Sequence, residues 1–378
     1  MDSQTIWLSI VGARPQFIKL APLARAIAAH NQSGKAPIRH LILHTGQHYD
    51  PGLSDVFFDE LEIPKADHHL GVGSGSHGKQ TAKMLENIEA TLIAEKPSVV
   101  IIYGDTNSTI AGSLAAAKLH IPVAHIEAGL RSFNRKMPEE INRVMADHAS
   151  DLLLAPTHVA VGHLTREGLG DRTVLTGDIM YDAVLQNVIL AQEKATIGDK
   201  LGLKAETYAL ATCHRAENTD DPQRLMSILN TLNEIAANRF PVVLPLHPRT
   251  ANQLKTHHPD WTPHSNLQLI DPVGYLDMMH LVAHARMILT DSGGLQKEAF
   301  FLNRPCITMR DETEWTETVT EGGNVIVGAD SDKIREAVAA WESRISSGTA
   351  DFSSAVQKAF GKGDAAEIIL NSIASRLG

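Results

Sequence analysis

Three side chains that stand at the ends of apolar runs could transfer protons. Asp105 ends the run SVVIIYGD, Glu127 comes near the end of IPVAHIEA, and His214 follows YALATC and adjoins Arg215. Carboxyl and imidazole groups differ in basicity, and burial or a neighbouring charge tunes each of them. An aspartate in this place is also a common helix N-cap, and a lone histidine is more often structural. Glutamate is a poor cap, so Glu127 is the hardest of the three to explain without a function.

A second acidic group opens the segment PEEINRVMADHAS (138–150). The spacing predicts a helix with a buried stripe of Ile141, Val144, Met145 and His148. Acids in the first turn complement the helix dipole, which is sufficient to explain Glu140. Glu139 and Arg143 are four residues apart on the opposite side, which is typical of a surface ion pair. Alternatively, both face a cleft and Arg143 holds Glu139 in position, although spacing alone favours the surface pair.

The stretch ILTDSGGLQKEAFFL (288–302) has the features of a phosphate-binding turn. An apolar strand ends at Asp291, and a helix is predicted to begin near Leu295. Between them lie Ser292, Gly293 and Gly294. Glycines let an anion approach the backbone, and free amides at a helix N-terminus attract phosphate. The turn by itself is explained equally well as an ordinary strand-to-helix connection with Ser292 as the N-cap.

Glu298 favours the ligand-binding interpretation of this turn. It shares one helical stripe with Leu295, Ala299 and Leu302, so a carboxylate lies in the row that should be buried. A buried ionised group needs partners, and the hydroxyls of a ribose would supply two donors next to the phosphate. The turn and Glu298 together predict a site for a nucleoside diphosphate.

Short apolar runs followed by helical patterns recur along the whole chain. Continuous rather than alternating hydrophobicity indicates strands covered on both faces, as in parallel sheets flanked by helices. Six units are followed by six more, which predicts an α/β fold of two doubly wound, Rossmann-like domains that face a cleft. The predicted strands are 6–13, 40–46, 98–105, 121–128, 151–156, 173–178, 208–215, 241–248, 267–271, 285–293, 305–311 and 324–330.

The predicted domain limits are 1–178 for the N-terminal domain and 179–353 for the C-terminal domain. A last helix, 354–378, has no strand after it and is expected to pack back on the first domain. Ligands of open parallel sheets bind at the carboxyl ends of the strands. The polar residues expected there are Arg14, His44, Gln47, His48, Asp105, Glu127, His214, Arg215, His247, Asp291, Ser292 and Arg310.

Composition narrows the classes of function. The formal net charge of −10 over 378 residues argues against broad binding to nucleic acid or anionic membranes. No apolar run is long enough to cross a bilayer, and the N-terminal segment lacks the basic stretch of a signal peptide. Cys213 and Cys306 fit a reducing cytoplasm better than a disulfide framework. On this basis we expect a cytoplasmic protein. The sequence has no metal-ligand spacing and no nucleophile elbow, and we expect no metal and no cofactor.

A set of motifs covers the chain from about residue 10 to about residue 330. In order, they are GARPQFIKLAPL, HTGQHYD, YGDTNSTIAGSLAA, HIEAGLRS, PEEINR, TGD, HRAEN, LPLHP and DSGGLQKEA. Together they resemble the non-hydrolysing UDP-N-acetylglucosamine 2-epimerases. The resemblance implies the two-domain GT-B arrangement shared with many glycosyltransferases, with UDP held mainly by the second domain. It also implies a homodimer.

The reaction implied by the resemblance inverts the carbon that bears the acetamido group of a UDP-sugar. UDP is eliminated to give a glycal and then adds back, while a proton is delivered to the opposite face. This chemistry needs a base near C2, an acid on the other side and stabilisation of the departing diphosphate. The product is expected to feed the synthesis of a cell-surface polysaccharide.

Site residues carry over from the resemblance motif by motif. Asp105, Glu127 and Glu139 take the positions of the acid/base carboxylates, which reverses the preference for a surface role of Glu139. Arg143 and His214 match the supporting arginine and histidine, with His214 near the diphosphate. The expected substrate- and UDP-binding residues are Arg14 and Lys19 of the first glycine turn, Ser292, Gly293, Gly294 and Glu298 of the UDP site, and Arg215 and Arg310 at strand ends.

Some motifs look more like a subgroup that acts on UDP-2,3-diacetamido-2,3-dideoxy-glucuronate. These are FNRKMPEEINR, HRAENTDD and GARPQFIK. A carboxylate at C6 of that sugar would need a cation, and Arg135 or Lys136 could supply it. The segment LGVGSGSHGKQ lacks the glutamine-rich pattern associated with allosteric substrate binding, so activation by substrate is not carried over.

Three alternatives remain open from the sequence. A hydrolysing epimerase that releases free sugar would need the same carboxylates, because both types lose UDP first. A GT-B glycosyltransferase using a UDP-sugar would need an acceptor site that the sequence does not reveal. A nucleotide-sugar sensor without catalysis is disfavoured because no expected carboxylate is missing.

Overall fold

A computed structural model describes residues 5–47, 58 and 60–377. His48 and the two residues that complete the HTGQHYD motif lie outside the described residues. The chain divides into two compact units, of which the first runs to Ala183 and resumes at Phe360, and the second is Val184–Ala359. The domain limits 1–178 and 179–353 are not tested by this division and stay a prediction.

The first unit is built on a seven-stranded parallel sheet. The strand order is β3-β2-β1-β4-β5-β6-β7. The strands are β1 Thr5–Val11, β2 Ile38–His44, β3 His68–His69, β4 Val99–Tyr103, β5 Val123–Ile126, β6 Leu152–Ala155 and β7 Thr173–Leu175. Strand β3 was not predicted, because its two residues pair with Leu43 and His44 at the sheet edge but contain no apolar run.

Helices connect these strands and cover the sheet. They are α1 Arg14–Gln32, α2 His77–Glu95, α3 Asn107–Lys118, α4 Pro138–Ala149 and α5 His158–Arg166, with a 3-10 turn at Gly170–Arg172. Helix α6, Ile179–Lys194, begins in the first unit and ends in the second. One core joins strands β1 and β4 to helices α2 and α3 through residues such as Leu8, Ile102, Met84 and Ala111. Continuous apolar strands are therefore buried between helices, as the run pattern indicated.

The second unit contains a six-stranded parallel sheet in the order β10-β9-β8-β11-β12-β13. Its strands are β8 Ala209–Thr212, β9 Val242–Pro245, β10 Leu267–Ile270, β11 Met287–Thr290, β12 Cys306–Thr308 and β13 Asn324–Ile326. Its helices are α7 Ile197–Lys200, α8 Ala216–Thr219, α9 Pro222–Asn238, α10 Pro248–His257, α11 Tyr275–His284, α12 Gly293–Phe301, α13 Thr316–Thr320 and α14 Ser331–Ser346. Both sheets have the predicted α/β, doubly wound character.

The C-terminal segment forms two helices rather than the single helix predicted over 354–378. Helix α15 is Ser353–Phe360 and helix α16 is Ala365–Arg376. Gly361 and Gly363 between them have φ values of 92° and 82°, a backbone conformation that ends a right-handed helix. Helix α16 packs on α1 and β6, and the Asp182 carboxylate accepts hydrogen bonds from the amides of Ala365 and Ala366.

No helix within the described residues combines the length and the apolar character needed to cross a membrane.

Candidate active site

The strand order of each sheet reverses at one point, and predicted site residues follow the strands at those points. In the first sheet β1 lies beside β4, and these strands lead into Arg14 and Asp105. In the second sheet β8 lies beside β11, and these strands lead into His214 and Ser292. Ligands of open α/β sheets bind outside the carboxyl ends of strands at such reversals. Each unit therefore has one candidate ligand-binding edge.

Lys19 and Glu127 form a buried ion pair at the edge of the first sheet. The Lys19 ammonium donates to Oε2 of Glu127, and the two residues are 7% and 8% exposed. Glu127 has a φ of 67°, in the left-handed region, where a residue with a Cβ is disfavoured by about 1–3 kcal/mol. Backbone strain of this kind concentrates at functional sites, because the surrounding structure must hold it in place.

Gly104 lies directly beside this ion pair. Its φ is 61°, and a Cβ at this position would lie 3.2 Å from both Glu127 Oε2 and Lys19 Nζ. A side chain here would meet both an unfavourable backbone conformation and the two charged groups. Glycine therefore lets the turn before Asp105 approach the ion pair closely.

Asp105 is paired with Arg143 of α4. Nε and Nη2 of Arg143 both donate to Oδ2 of Asp105, the former at 3.1 Å. Nη1 of Arg143 donates to Oε2 of Glu140 at 3.0 Å. The guanidinium thus lies between two carboxylates, and Arg143 is 9% exposed. Removing the guanidinium would leave two carboxylates without their cation, and removing the carboxylates would leave a buried cation without a partner.

Asp105, Arg143 and Glu140 shift one another's pKa. Removal from water raises the pKa of Asp105, and Arg143 opposes that rise. Burial disfavours the charged form of Arg143, but the charge and hydrogen bonds of Asp105 outweigh it and raise the pKa of Arg143. Burial likewise works against ionised Glu140, but hydrogen bonds from Ser132 and Phe133 lower its pKa. Asp105 is therefore the carboxyl group more easily protonated, and such divergence is typical of acid/base sites.

Helix α4 buries a different face from the predicted one. Its buried residues are Glu140, Arg143, Ala146 and Asp147. Met145, which the apolar pattern assigned to the buried stripe, is 51% exposed. The predicted stripe was wrong because charged partners on other elements draw the polar face inward, and a hydrophobicity pattern does not register those partners.

Glu139 and Glu140 lie in opposite environments. Glu139 is exposed in the first turn of α4. The Glu140 carboxylate accepts hydrogen bonds at 2.9 Å from the amides of Ser132 and Phe133 and from the Ser132 hydroxyl. Among the described contacts Arg143 pairs with Asp105 and Glu140, so neither the Arg143–Glu139 surface pair nor the Arg143-held Glu139 was right. The predicted dipole role for Glu140 was insufficient.

Asp291 organises the ligand-binding edge of the second unit. It is fully buried, and its carboxylate accepts hydrogen bonds from the backbone amides of His214 and Arg215, both at 2.9 Å, and from Asn218 Nδ2 at 3.2 Å. Nδ1 of His214 lies 3.6 Å from Oδ1. One carboxylate thus fixes the loop after β8 against the end of β11.

The predicted glycine turn opens helix α12. Ser292 is its N-cap, and the Ser292 hydroxyl accepts a hydrogen bond from the Leu295 amide at 3.5 Å. A Cβ on Gly293 would lie 2.4 Å from Oε1 of Glu314 and 3.7 Å from Nη2 of Arg215. A Cβ on Gly294 would have no described neighbour within 4 Å. A helix N-terminus beside an arginine has the composition of an anion site.

Two further predicted residues lie in the second unit with acidic or hydroxyl partners. Arg310 donates from Nη1 to Glu314 at 3.0 Å and from Nε to Glu217 at 3.2 Å. Burial disfavours its charge, but these two carboxylates outweigh burial and raise its pKa. Glu298 is 7% exposed, as its place in the buried stripe predicted, and the Tyr275 hydroxyl donates to its Oε1 at 3.3 Å.

His214 is surrounded by groups that act on its charge in different directions. Burial lowers its pKa, Asp291 opposes that effect, and His247 and Arg215 reinforce it. The His214 and His247 rings are 5.6 Å apart. The net direction is downward, so His214 is predominantly the neutral imidazole at neutral pH.

The sequence missed several residues that hold these sites together. Asp291 was noted at a strand end but left out of the site set, Glu140 was assigned only to the helix dipole, and Tyr275 was not considered. Asp147 and His125 form another buried pair, in which Nδ1 of His125 lies 2.7 Å from Oδ1 of Asp147. Nε2 of the same ring contacts the Gly104 carbonyl oxygen. A usable signal existed only for Asp291, which immediately precedes the glycine turn.

The two edges suit different chemistry. The first unit holds carboxyl groups with divergent protonation beside fixed cations, which is the equipment for proton transfer. The second unit holds an amide-lined turn with arginines and a carboxylate one helical turn later, which suits a nucleoside diphosphate. Over residues 5–47, 58 and 60–377, no three His, Cys, Asp or Glu side chains cluster as metal ligands would.

Two units, each built on a doubly wound parallel sheet with a candidate ligand-binding edge, define the GT-B type of fold. The sequence model of the family described as UDP-N-acetylglucosamine 2-epimerase matches residues 31–374. The chain belongs to this family, and the predicted family and isomerase class are therefore confirmed.

Two relatives support the same placement. The chain is 51% identical to the UDP-2,3-diacetamido-2,3-dideoxy-D-glucuronate 2-epimerase of Pseudomonas aeruginosa over 87% of this chain and 90% of that protein. It is 45% identical to the UDP-N-acetylglucosamine 2-epimerase of Methanocaldococcus jannaschii, again over 87% and 90%.

A solved structure matches the fold over nearly the full length. This is the Methanocaldococcus jannaschii UDP-GlcNAc 2-epimerase in complex with UDP-GlcNAc and UDP, with a TM-score of 0.83 and 40% identity over 98% of this chain and 100% of that one. The predicted GT-B-type fold is confirmed.

Proposed function

We propose that this protein inverts C2 of a UDP-2-acetamido sugar and keeps the sugar attached to UDP at the end of the reaction. A base removes the C2 proton, the electron pair forms the C1–C2 double bond of a glycal, and UDP leaves with the electrons of the C1–O bond. UDP oxygen then adds back to C1 while an acid delivers a proton to the other face of C2. Atoms and electrons balance without any redox partner.

The first unit supplies the proton-transfer groups in this proposal. Glu127 and Glu139 act on opposite faces of C2, and Asp105 is a third carboxyl group whose raised pKa suits it to hold a proton. Lys19 and Arg143 keep Glu127 and Asp105 in position through the buried ion pairs. The exposed Glu139 differs from the other two in that substrate, rather than protein, would surround its carboxylate.

The second unit binds UDP in this proposal. The diphosphate lies on the turn of Ser292, Gly293 and Gly294, with Arg215 and Arg310 as cations. Arg14, exposed at the start of α1, is a further cation at the edge of the first unit. Glu298, oriented by the Tyr275 hydroxyl, accepts from the ribose hydroxyls. His214 lies beside the departing diphosphate. A neutral imidazole there can donate one hydrogen bond to the diphosphate as UDP leaves and lose that bond when UDP adds back.

The observation that carries the proposal is the placement of two carboxyl groups, Asp105 and Glu127, at one sheet edge, where each is paired with its own cation. The Glu127 charge raises the pKa of Asp105, although burial is the larger cause and Arg143 opposes both. Two carboxyl groups that influence each other, each beside its own fixed cation, suit the transfer of a proton from one face of a carbon to the other.

We further propose UDP-2,3-diacetamido-2,3-dideoxy-glucuronate as the preferred substrate. The 51% identity to the Pseudomonas aeruginosa protein of that name supports this choice. Arg135 and Lys136 are exposed in the loop that precedes Glu139, and either could pair with a carboxylate at C6 of the sugar. The product would then supply the synthesis of a cell-surface polysaccharide.

Proton NMR in deuterated water tests both parts of this proposal. The protein is incubated separately with UDP-N-acetylglucosamine and with the diacetamido-glucuronate analogue. Deuterium entering C2, with the epimer still attached to UDP, is the expected result, and the analogue should react faster. Free sugar would indicate a hydrolysing epimerase, transfer of the sugar to an added acceptor would indicate a glycosyltransferase, and both would overturn the proposal.

We also propose that the protein works in the cytoplasm as a homodimer. Both cysteines are buried free thiols, which fits a reducing compartment. Light scattering coupled to size exclusion tests the dimer, and a monomeric mass at assay concentration would contradict it.

A further inference from the structure

A fully buried histidine in the first unit has both ring nitrogens engaged. His125 lies in β5, with Nε2 2.7 Å from the Gly104 carbonyl oxygen and Nδ1 2.7 Å from Oδ1 of Asp147. A carbonyl oxygen can only accept a hydrogen bond, and so can an ionised carboxylate. Both ring nitrogens therefore face an acceptor, and only an imidazolium, with a proton on each nitrogen, can donate to both.

Asp147 is ionised in this arrangement. Burial would favour its neutral form, but the hydrogen bond and charge of His125, together with Arg131, lower its pKa. Its second oxygen is 2.7 Å from Arg131 Nη1 and accepts from the Gly129 amide at 3.1 Å. The carboxylate is thus occupied entirely as an acceptor, which leaves no proton for it to give to His125.

The imidazolium holds the peptide group from which Asp105 begins. The Gly104 carbonyl and the Asp105 nitrogen belong to one planar unit, so fixing the carbonyl oxygen also fixes that plane. The Gly104 amide is held in turn by the Ile126 carbonyl at 3.0 Å. On the other side of Asp105, its own carbonyl accepts from Asn142 Nδ2 at 3.0 Å. The backbone of Asp105 is therefore held from both sides.

The same histidine links three elements that carry proposed acid/base groups. Gly104 leads to Asp105, β5 leads to Glu127 two residues after His125, and Asp147 belongs to the helix that carries Glu139 and Arg143. Misplacement of a reacting group by about 1 Å can reduce a rate about 100-fold. A buried side chain that belongs to one of these elements and bonds to the other two is well placed to prevent that.

We propose that His125 is a positioning residue for the epimerisation. Its Nε2–H holds the Gly104–Asp105 turn, and its Nδ1–H anchors the ring to Asp147. The inference rests on the proposed function, because it assigns His125 a purpose through Asp105. His125 itself touches no substrate.

Two substitutions separate the two hydrogen bonds of the ring. The amide nitrogen of asparagine overlies Nδ1, so His125→Asn keeps the donor to Asp147 and loses the donor to Gly104. The amide nitrogen of glutamine overlies Nε2, so His125→Gln does the reverse. We expect kcat to fall about 100-fold in His125→Asn but only about tenfold or less in His125→Gln, with KM and UDP affinity nearly unchanged in both.

The matched control is the same pair of substitutions at His40. Its Nε2 bonds the Ser9 hydroxyl at 2.8 Å, away from the Gly104–Asp105 turn. The two His40 variants should differ little from each other in kcat. An equal loss in both His125 variants, a larger loss in His125→Gln, or a loss confined to KM would overturn the proposal.

Nitrogen-15 NMR of the histidine-labelled wild-type protein supplies a readout that does not depend on activity. One buried, slowly exchanging histidine should carry protons on both ring nitrogens at neutral pH. A neutral tautomer for that residue would overturn the inference even if the kcat values agreed with it. The spectrum also decides the matter if neither variant folds. Absence of turnover on any UDP-sugar would contradict the proposed function and leave the NMR test intact.

Discussion

The edges of the two sheets hold their charges in different ways. In the first unit side chains pair with side chains, as Lys19 does with Glu127 and Arg143 with Asp105. In the second unit the buried Asp291 carboxylate instead collects backbone amides from the loop after β8. Both sheets are parallel and doubly wound. Ion pairs between side chains organise the first edge, whereas the Asp291 carboxylate fixes the backbone of the loop at the second.

This difference corresponds to two demands of the proposed reaction. A group that must gain and lose a proton needs a nearby charge that stabilises one of its states, which an ion pair provides. A group that must bind a diphosphate needs several N–H donors held in place, which an ordered loop and a helix N-terminus provide. The comparison leads to four predictions, each of which disturbs one edge and should spare the other.

The largest effect is expected at the first edge, from Glu127→Gln and Glu139→Gln. Either change should lower kcat by about 10²–10⁴-fold, because a proton-transfer group is lost while the shape is kept. UDP affinity should be nearly unchanged, since the second unit is untouched. Deuterium exchange at C2 followed by NMR measures the first effect, and calorimetry with UDP measures the second.

Glu89→Gln in α2 is the control for this pair, because Glu89 is an exposed carboxylate of the same unit. It should retain wild-type turnover. Full activity in Glu139→Gln would remove that residue from the mechanism. A loss of UDP affinity comparable to the loss of kcat would show that the two edges do not divide the work as proposed.

At the second edge, Asp291→Asn should produce the reverse pattern. An amide in place of the carboxylate cannot accept from His214, Arg215 and Asn218 together, so the loop after β8 loses order. We expect UDP affinity to fall about 10–100-fold, which corresponds to about 1.4–2.8 kcal/mol. Calorimetry with UDP is the measurement, and Asp260→Asn, an exposed aspartate of the same unit, is the control. Unchanged affinity for UDP would be incompatible with an organising role for Asp291.

Stability separates the adjacent residues Glu139 and Glu140. Glu140→Gln should reduce the free energy of unfolding by about 2–3 kcal/mol, because it weakens three hydrogen bonds and leaves Arg143 with one carboxylate. Glu139→Gln should leave stability unchanged, since Glu139 is exposed. Urea unfolding of the two variants in parallel provides the measurement. Equal stability of the two would contradict the buried role of Glu140.

The smallest effect concerns the acid stability of the first unit. His44 is 1% exposed, and burial, reinforced by His69, lowers its pKa to about 4. The unfolded chain, with an ordinary histidine pKa of about 6.5, binds more protons between these values, so stability falls as the pH drops from about 6.5 towards 4. Between neutral pH and pH 5 the contribution of His44 amounts to at most about 2 kcal/mol.

The test compares wild type and His44→Gln by urea unfolding near neutral pH and near pH 5. The variant should lose less stability on acidification than the wild type. The comparison of the two proteins is needed because Asp182 acts in the opposite direction. Burial raises the pKa of Asp182 to about 6, so its protonation stabilises the folded protein as the pH falls over the same range. Identical pH dependence of the two proteins would show that His44 is not held neutral in the folded state.

Regular elements were predictable because their signal is local. The apolar run 121–128 contains strand β5, and the run 285–293 contains strand β11, since a buried parallel strand needs consecutive apolar residues. The glycine turn with its Ser292 cap was predictable for the same reason. The two-residue strand β3 and the break of the last helix near Gly361 were not, because the first is too short for a pattern and the second depends on backbone conformation.

Within the candidate site, residue type was predictable and environment was not. Asp105 and Glu127 follow strands β4 and β5 as predicted, and Arg143 lies in the predicted helix α4. Their roles in catalysis stay a prediction. The sequence nevertheless placed Arg143 beside Glu139 and buried Met145, whereas the structure buries Arg143 between Asp105 and Glu140. A helical pattern can state which residues share a face but not which face finds partners.

The amino-acid sequence by itself determined the alternation of strands and helices, the polar residues at strand ends, and the order of motifs that places the chain in its family. Only the tertiary structure decided which carboxylate meets which cation. The reason is distance along the chain: Lys19 and Glu127 are 108 residues apart, and Arg143 and Asp105 are 38 apart. Such pairs form only after the sheet has brought the strand ends together, and local preferences carry no information about them.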